Sequence, residues 1–590
     1  MPARPRPFRP RSFQPLAPTA RFFVALLALA LVALPAAAQD SGIFGDVIDV
    51  NVTNVEVVVL DADGEPVDGL TLADFRLTSN GEPVEISNFY EVRAGVPMTQ
   101  PAAAQATPQL AALPIIDRDS RSVLLFFDNT SLEERNRKRV LTAARDMVTR
   151  TMGANDFFEV AAMQQGGQLR TVQTFTSDRA AVLAALDQVA ELPASGNLRD
   201  TTFVQLVRDL QQAELGSGRG FSSARQMRGR IEAFARQSQQ ASEQNLAAIE
   251  FLLRPVAGIP GQKAVVFFGE GLTIQPAETL LDAYQRKFGD VDPVQLDFAP
   301  EIDAASYDLR AEFEQAIARS QESDVRFYAI DAGGKRRNLL RSAAAGAPDI
   351  RSLDLQAEIE IWPTSLDREY ELYQREGLRS MAQATGGAML ADTRAYDDFL
   401  SRVDRDLNNF YSLGFQISGA RDDSLQSLEV ELAGEPGYTL LYRQRFQNKS
   451  PERQLADLAV SQLLAPVGLN GLGMSLFAGE PTPREDRYVL PLEIRFPADN
   501  ATLVQQGDAK VGQLKAIVIV QDLEGQLSPA QEIPLELSFT EADLQDGKDA
   551  LAVAQFALLT RGGRQRIAVA LRDLATGVTS AGSFVVDLEG

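Results

Sequence analysis

Arg121-Ser122-Val123-Leu124-Leu125-Phe126-Phe127-Asp128-Asn129-Thr130-Ser131 is the most informative stretch of this 590-residue chain. Five apolar residues run without a break into an acid and two hydroxyl residues. An uninterrupted Val/Leu/Phe run of this length predicts a strand buried on both faces, at the centre of a parallel α/β sheet. An acid at the end of such a strand sits in the crevice outside the sheet's carboxyl edge, where open α/β sheets bind ligands.

Working outward, residues 119–418 alternate strand and helix patterns. Candidate strands are 123–127, 157–162, 170–175, 264–268, 325–330 and 410–416. Residues 133–152 place Val140, Ala144, Met147, Val148 and Met152 on one helical stripe. A helix at 178–190 follows Ser177, a good N-cap, and one at 369–385 ends at Gly386-Gly387. The alternation predicts a doubly wound, Rossmann-like sheet with helices on both faces. A long polar helical stretch at 203–256 interrupts it, with Gly216-Ser217-Gly218-Arg219-Gly220 as a break between two helices. It is either a solvated insertion or a partner-binding helical pair on the Asp128 edge.

The flanks are β-rich. Residues 46–93 alternate apolar and polar around the turn signals Asp61-Ala62-Asp63-Gly64 and Asn80-Gly81, which predicts a small β module. Residues 94–118, rich in Ala, Pro, Gln and Thr, read as a linker. Strand-like runs at 428–432 and 439–442 are expected to extend the α/β sheet, closing an α/β domain over 119–447. A connector spans 448–484. Six short strands over 485–590 predict an immunoglobulin-like β-sandwich.

Composition narrows the chemistry. The chain has no cysteine and no histidine. That excludes disulfides, thiol nucleophiles, imidazole acid/base groups and His or Cys metal ligands. Asp, Ser and Thr remain, and they suit hard cations such as Mg²⁺ or Ca²⁺. Arg4, Arg6, Arg9, Arg11 and Arg21, an apolar stretch at 24–34 and Pro35-Ala36-Ala37-Ala38 read as a signal peptide over 1–38. An uncleaved anchor is the alternative. No second transmembrane segment is legible. Removing that leader takes the net charge from −23 to −28, which disfavours nucleic acid as a partner.

Several blocks, in order, resemble one family. They are Val57-Val58-Val59-Leu60-Asp61-Ala62-Asp63-Gly64-Glu65-Pro66, the strand from Val123 to Thr130, Leu378-Arg379-Ser380-Met381-Ala382-Gln383-Ala384-Thr385-Gly386-Gly387, Phe410-Tyr411-Ser412-Leu413-Gly414-Phe415 and Tyr442-Arg443-Gln444-Arg445-Phe446. The chain resembles secreted bacterial proteins with a von Willebrand factor type A (VWA)-related domain, best known from acidobacteria. The resemblance implies a metal-ion-dependent adhesion site with an Asp-x-Ser-x-Ser first loop, a Thr from a second loop and an Asp from a third.

Mapped onto that pattern, Asp128 and Thr130 match the first loop, and Leu132 stands where its last hydroxyl is expected. Ser195-Gly196-Asn197-Leu198-Arg199-Asp200-Thr201-Thr202 supplies a second loop in which Thr201 or Thr202 offers the hydroxyl, with Thr202 the nominal choice. Glu270 of Gly269-Glu270-Gly271 takes the third loop's acid position. The implied site is degenerate: Asp128, Thr130, Thr202 and Glu270 around Mg²⁺, or Mn²⁺ or Ca²⁺. Without a cation, Asp128 would cap the following helix or bind loop amides. The implied function is a secreted or periplasmic, non-enzymatic binding or adhesion protein that recognises a protein or cell-surface ligand. The alternative is a metal-independent structural component of a cell-envelope complex. A hydrolase using a carboxylate pair is the remaining class, with no Gly-x-Ser-x-Gly elbow or phosphate loop to support it.

Overall fold

The computed structural model describes residues 52–98, 120–213, 219–288, 304–334, 356–417, 421–434, 437–465, 468–540 and 551–588. The expected signal peptide, most of the linker and residues 216–218 of the glycine-rich break lie outside the described residues, while Arg219 and Gly220 already belong to a helix. Strands β1 (Val52–Leu60), β2 (Phe75–Ser79), β3 (Glu82–Pro83), β4 (Ile86–Arg93) and β5 (Val96–Met98) come first. The α/β stretch runs β6 (Arg121–Asp128), α1 (Glu134–Thr151), β7 (Phe157–Gln164), β8 (Gln168–Thr176), α2 (Arg179–Glu191), α3 (Asn197–Gln212), α4 (Arg219–Leu253) and β9 (Gln262–Gly269). It continues through α5 (Glu278–Phe288), α6 (Arg310–Glu322), β10 (Arg326–Asp331), α7 (Gln356–Ala384), β11 (Met389–Leu390) and α8 (Tyr396–Asn408). Then follow β12 (Phe410–Gln416), β13 (Leu425–Leu432), β14 (Thr439–Leu441), β15 (Arg445–Gln447) and α9 (Pro451–Leu464). The last strands are β16 (Ser475–Ala478), β17 (Thr482–Arg484), β18 (Arg487–Pro497), β19 (Val504–Gln506), β20 (Ala509–Gln521), β21 (Gln531–Thr540), β22 (Leu551–Arg561), β23 (Gly563–Asp573) and β24 (Thr579–Leu588).

The central sheet has the order β11-β10-β9-β6-β7-β8, parallel except for β8. Strand β6 lies near the middle because both its faces are apolar. Val123, Leu125 and Phe127 enter a core shared with α1, α2 and α8, while Leu124 and Phe126 enter one shared with α4, α6 and α7. Phe127 stacks on Phe268 at 4.4 Å between ring centroids, and Phe126 meets Phe267 edge-on at 5.6 Å. Burial of each such ring contributes about 1.5–3 kcal/mol. The chain builds outward from β6 to β7 and β8, then crosses to β9 on the other side. The carboxyl ends of β6 and β9 therefore flank the topological switch point, the ligand position of open α/β sheets.

Strand β12 corrects one expectation. Its pattern predicts a place in the parallel sheet, but it pairs antiparallel with β1 and β4. The five-stranded sheet β14-β1-β12-β4-β5 faces a second sheet, β15-β13-β2-β3. Val55, Val57, Phe75, Leu77, Tyr411, Leu413, Phe415, Val430 and Phe446 form their common core. The early strands and 410–447 thus make one sandwich, with the α/β stretch inserted between β5 and β12. The sandwich meets the amino edge of the parallel sheet: Glu56 of β1 holds Arg326 at 3.0 Å and accepts from Gln262. The carboxyl edge is on the opposite side.

The stretch 203–256 is not a solvated insertion. The second half of α4 is the crossover helix to β9, with Leu246, Ile249, Leu252 and Leu253 on the sheet. Its first half packs Met227, Ile231 and Phe234 with Phe203, Leu206 and Leu210 of α3, Leu280 and Tyr284 of α5 and Tyr370 of α7.

In the last segment, β18 pairs with β16, β17 and β22, and β20 pairs with β19, β21 and β23, which pairs with β24. The two sheets share a core of Leu490, Leu492, Ile494, Leu514, Val518 and Val569. Helix α9, from the expected connector, covers Ile517, Ile519, Ala568 and Ala570 on the outer face of β20 and β23. Among the described residues no helix is long and apolar enough to cross a membrane.

Candidate functional site

Strand β6 delivers Asp128 to the carboxyl edge, where it is 1% exposed. Its Oδ1 accepts from the backbone N (3.0 Å) and the hydroxyl of Thr130. This is the local Asx turn expected of an acid two residues before a donor. Ser131 Oγ accepts from Glu270 N at 3.0 Å and donates to Asp128 O at 3.3 Å, so it clips the first loop to the third. Leu132, at the position of the expected third hydroxyl, is fully buried in the core beneath α1.

Glu270 and Asp128 divide the two roles considered for the acid of the first loop. The N-cap of α1 is Glu133, whose side chain makes no cap hydrogen bond. Glu270 supplies the cap from the loop after the neighbouring strand β9. Its Oε1 accepts from Glu133 N at 2.7 Å and Asn136 Nδ2 at 3.0 Å. A carboxylate there answers orphan N–H groups and the positive end of the helix dipole. Asp128 binds a loop amide and does not cap the helix.

The second loop is fastened to the first by Ser195 N to Asn129 O (3.0 Å) and Gly196 N to Leu132 O (3.1 Å). Gly196 is required here, because a Cβ would fall 2.1 Å from Ser131 O. Arg199 then reaches back with Nη2 to Glu270 O at 2.7 Å.

These loops, the β7–β8 turn and α4 enclose a cavity of about 260 Å³. Asp128, Thr130 and Thr202 line it, together with Arg199 and, from α4, Ser238, Ser242 and Asn245. The structure therefore brings together three of the four expected residues. Glu270 is not among the lining residues, and neither is Thr201.

Asn245 was not legible as a site residue. Its Nδ2 lies 3.3 Å from Asp128 Oδ2 and 3.1 Å from Ala241 O. Its Oδ1 is buried without a hydrogen-bond partner. The signal in the sequence was slight: Ser238, Ser242 and Asn245 recur at helical spacing beside the apolar stripe of α4, and Asn is a poor residue for a helix interior.

Among the described residues no three acids cluster as a metal site would need if built from carboxylates alone. The cavity offers one carboxylate, two threonine hydroxyls and an orphaned amide oxygen. Such hard oxygen donors match Mg²⁺ or Ca²⁺ in kind. Arg199 is the opposing charge.

A separate cluster closes the end of β10. Buried Asp331 meets Arg375 Nε at 2.6 Å, while Nη1 of the same guanidinium lies 2.8 Å from Asp392. Nη2 donates to Gly334 O at 3.0 Å. Every arm of the guanidinium is used, so this cluster is structural.

No protein-family model matches the chain, and no curated protein is similar to it. Solved structures resemble it distantly. An aerotolerance-related membrane protein from Bacteroides fragilis has 8% identity and a TM-score of 0.21, covering 49% of this chain and 98% of that one. BatB from Bacteroides thetaiotaomicron has 9% identity and a TM-score of 0.19, with 49% and 98% covered. Manganese-loaded TRAP protein from Plasmodium vivax has 7% identity and a TM-score of 0.20, with 55% and 94% covered. Likeness at this level decides nothing, and the fold description rests on the strand order itself.

Proposed function

We propose that this is a secreted or periplasmic, non-enzymatic binding protein of VWA-related type, which recognises a protein or cell-surface ligand at the carboxyl edge of its parallel sheet. The observation that carries the reading is the convergence of Asp128, Thr130 and Thr202 on one cavity at the topological switch point. The cation reading is that these residues hold Mg²⁺, Mn²⁺ or Ca²⁺, which would supply a positive centre for an acidic group of the partner. The chain's own contribution is to fix the donors. Thr130 orients Asp128, Ser131 ties the first and third loops, and Glu270 anchors the third loop to α1.

The metal-independent reading, a structural part of a cell-envelope complex, draws on Glu270, whose carboxylate is engaged in capping. Retention of the purified protein on immobilised cell-envelope material separates the two. Binding that falls in EDTA and in Asp128→Ala supports the cation reading. Equal retention in all arms supports the structural one. No retention in any arm counts against both.

A further inference from the structure

We infer that Asn245 of α4 supplies the oxygen ligand that the three strand-end loops lack. The inference rests on the cation reading of the Asp128 cavity. Leu132 cannot ligate, and Glu270 is committed to α1. Another oxygen must come from elsewhere, and α4 lies across the cavity.

The Asn245 side chain is 3% exposed, lines the cavity and has an Oδ1 with no hydrogen-bond partner. Its amide NH₂ faces Asp128 Oδ2 and Ala241 O, since two oxygens there require a donor. That orientation strands the amide oxygen. An amide presents its oxygen and nitrogen at nearly interchangeable positions, so a half-turn exchanges them. The exchange would set the amide oxygen beside Asp128 Oδ2 and Ala241 O, an arrangement that only a cation at the Asp128 carboxylate stabilises.

Ligation by Asn245 would also tie the middle of α4 to β6, making the crossover helix part of the binding site.

Europium luminescence tests this on the whole protein, with Eu³⁺ standing in for the divalent cation. Lifetimes in H₂O and D₂O count the waters on the bound ion. The wild type is expected to bind Eu³⁺ in competition with divalent cations, and Asp128→Ala to bind it at least about tenfold more weakly. Asn245→Ala should carry one more water and bind about tenfold more weakly, while Asn245→Asp should bind more tightly with the wild-type water count. An unchanged water count in Asn245→Ala overturns the inference and leaves the cation reading standing. Equal Eu³⁺ binding by wild type and Asp128→Ala removes the cation reading, and the inference with it.

Discussion

At the residue scale, two acids near one loop take different roles because of what each can reach. Asp128 has a short arm and a donor two residues on, so it folds onto Thr130. Glu270 has one more methylene and spans to the start of α1. Glu270→Gln should therefore cost about 1 kcal/mol, the usual scale of a lost charged cap. Denaturant unfolding measures the loss, and the response to cations should survive it. Glu159 of β7 makes the opposite case. Burial pushes its carboxyl up to about 8. A folded pKa above the unfolded value of about 4.5 means that folding binds a proton, so the penalty is absent below about pH 4.5, grows as pH rises and is complete above about pH 8. Glu159→Gln should stabilise by roughly 3 kcal/mol at pH 7 and by almost nothing at pH 4. Urea titrations at the two pH values check the sign.

At the element scale, α4 shows where pattern reading stops. The Arg, Gln and Ser that dominate its first half conceal the stripe Met227, Ile231 and Phe234, which has partners only once α3, α5 and α7 assemble around it. Ile231→Ala should cost about 2–5 kcal/mol, the range for a filled core site. A change under about 0.5 kcal/mol would instead match an exposed helix. Arg375 is a second test. Its replacement by Met leaves Asp331 buried and unpaired, and should cost about 3–5 kcal/mol, read by denaturant unfolding.

The strand at 121–128 was legible because both its faces are apolar, and so was its place near the sheet's centre. Strand β12 looked the same, and periodicity carries no information about which sheet a buried strand joins. Asp128 and Thr130 were legible through the loop order that the resemblance implies, which left the choice between Thr201 and Thr202 open. Asn245 was not, since its partner lies 117 positions away in the sequence.

At the scale of the whole molecule, the inserted α/β stretch is held at its amino edge by the sandwich that encloses it in sequence. Glu56 with Arg326, and Arg443 with Asp324 and Asn54 O, make the junction. Truncation after residue 417 would remove β13 and β15, the cover of Phe75, Leu77 and Tyr411. Amide exchange should then become fast in β1 and β2 while β6 and β9 stay protected.

The central claim, that the Asp128 cavity is a cation-dependent binding site, meets its most direct test in thermal melts of the protein in EDTA, Mg²⁺, Mn²⁺ and Ca²⁺ beside Asp128→Ala. A ligand specific to the folded state adds about 2.7 kcal/mol at a hundredfold excess over its dissociation constant. The account predicts a higher melting temperature with a divalent cation in the wild type and no rise in Asp128→Ala. Melts that coincide in EDTA and in every cation would contradict it.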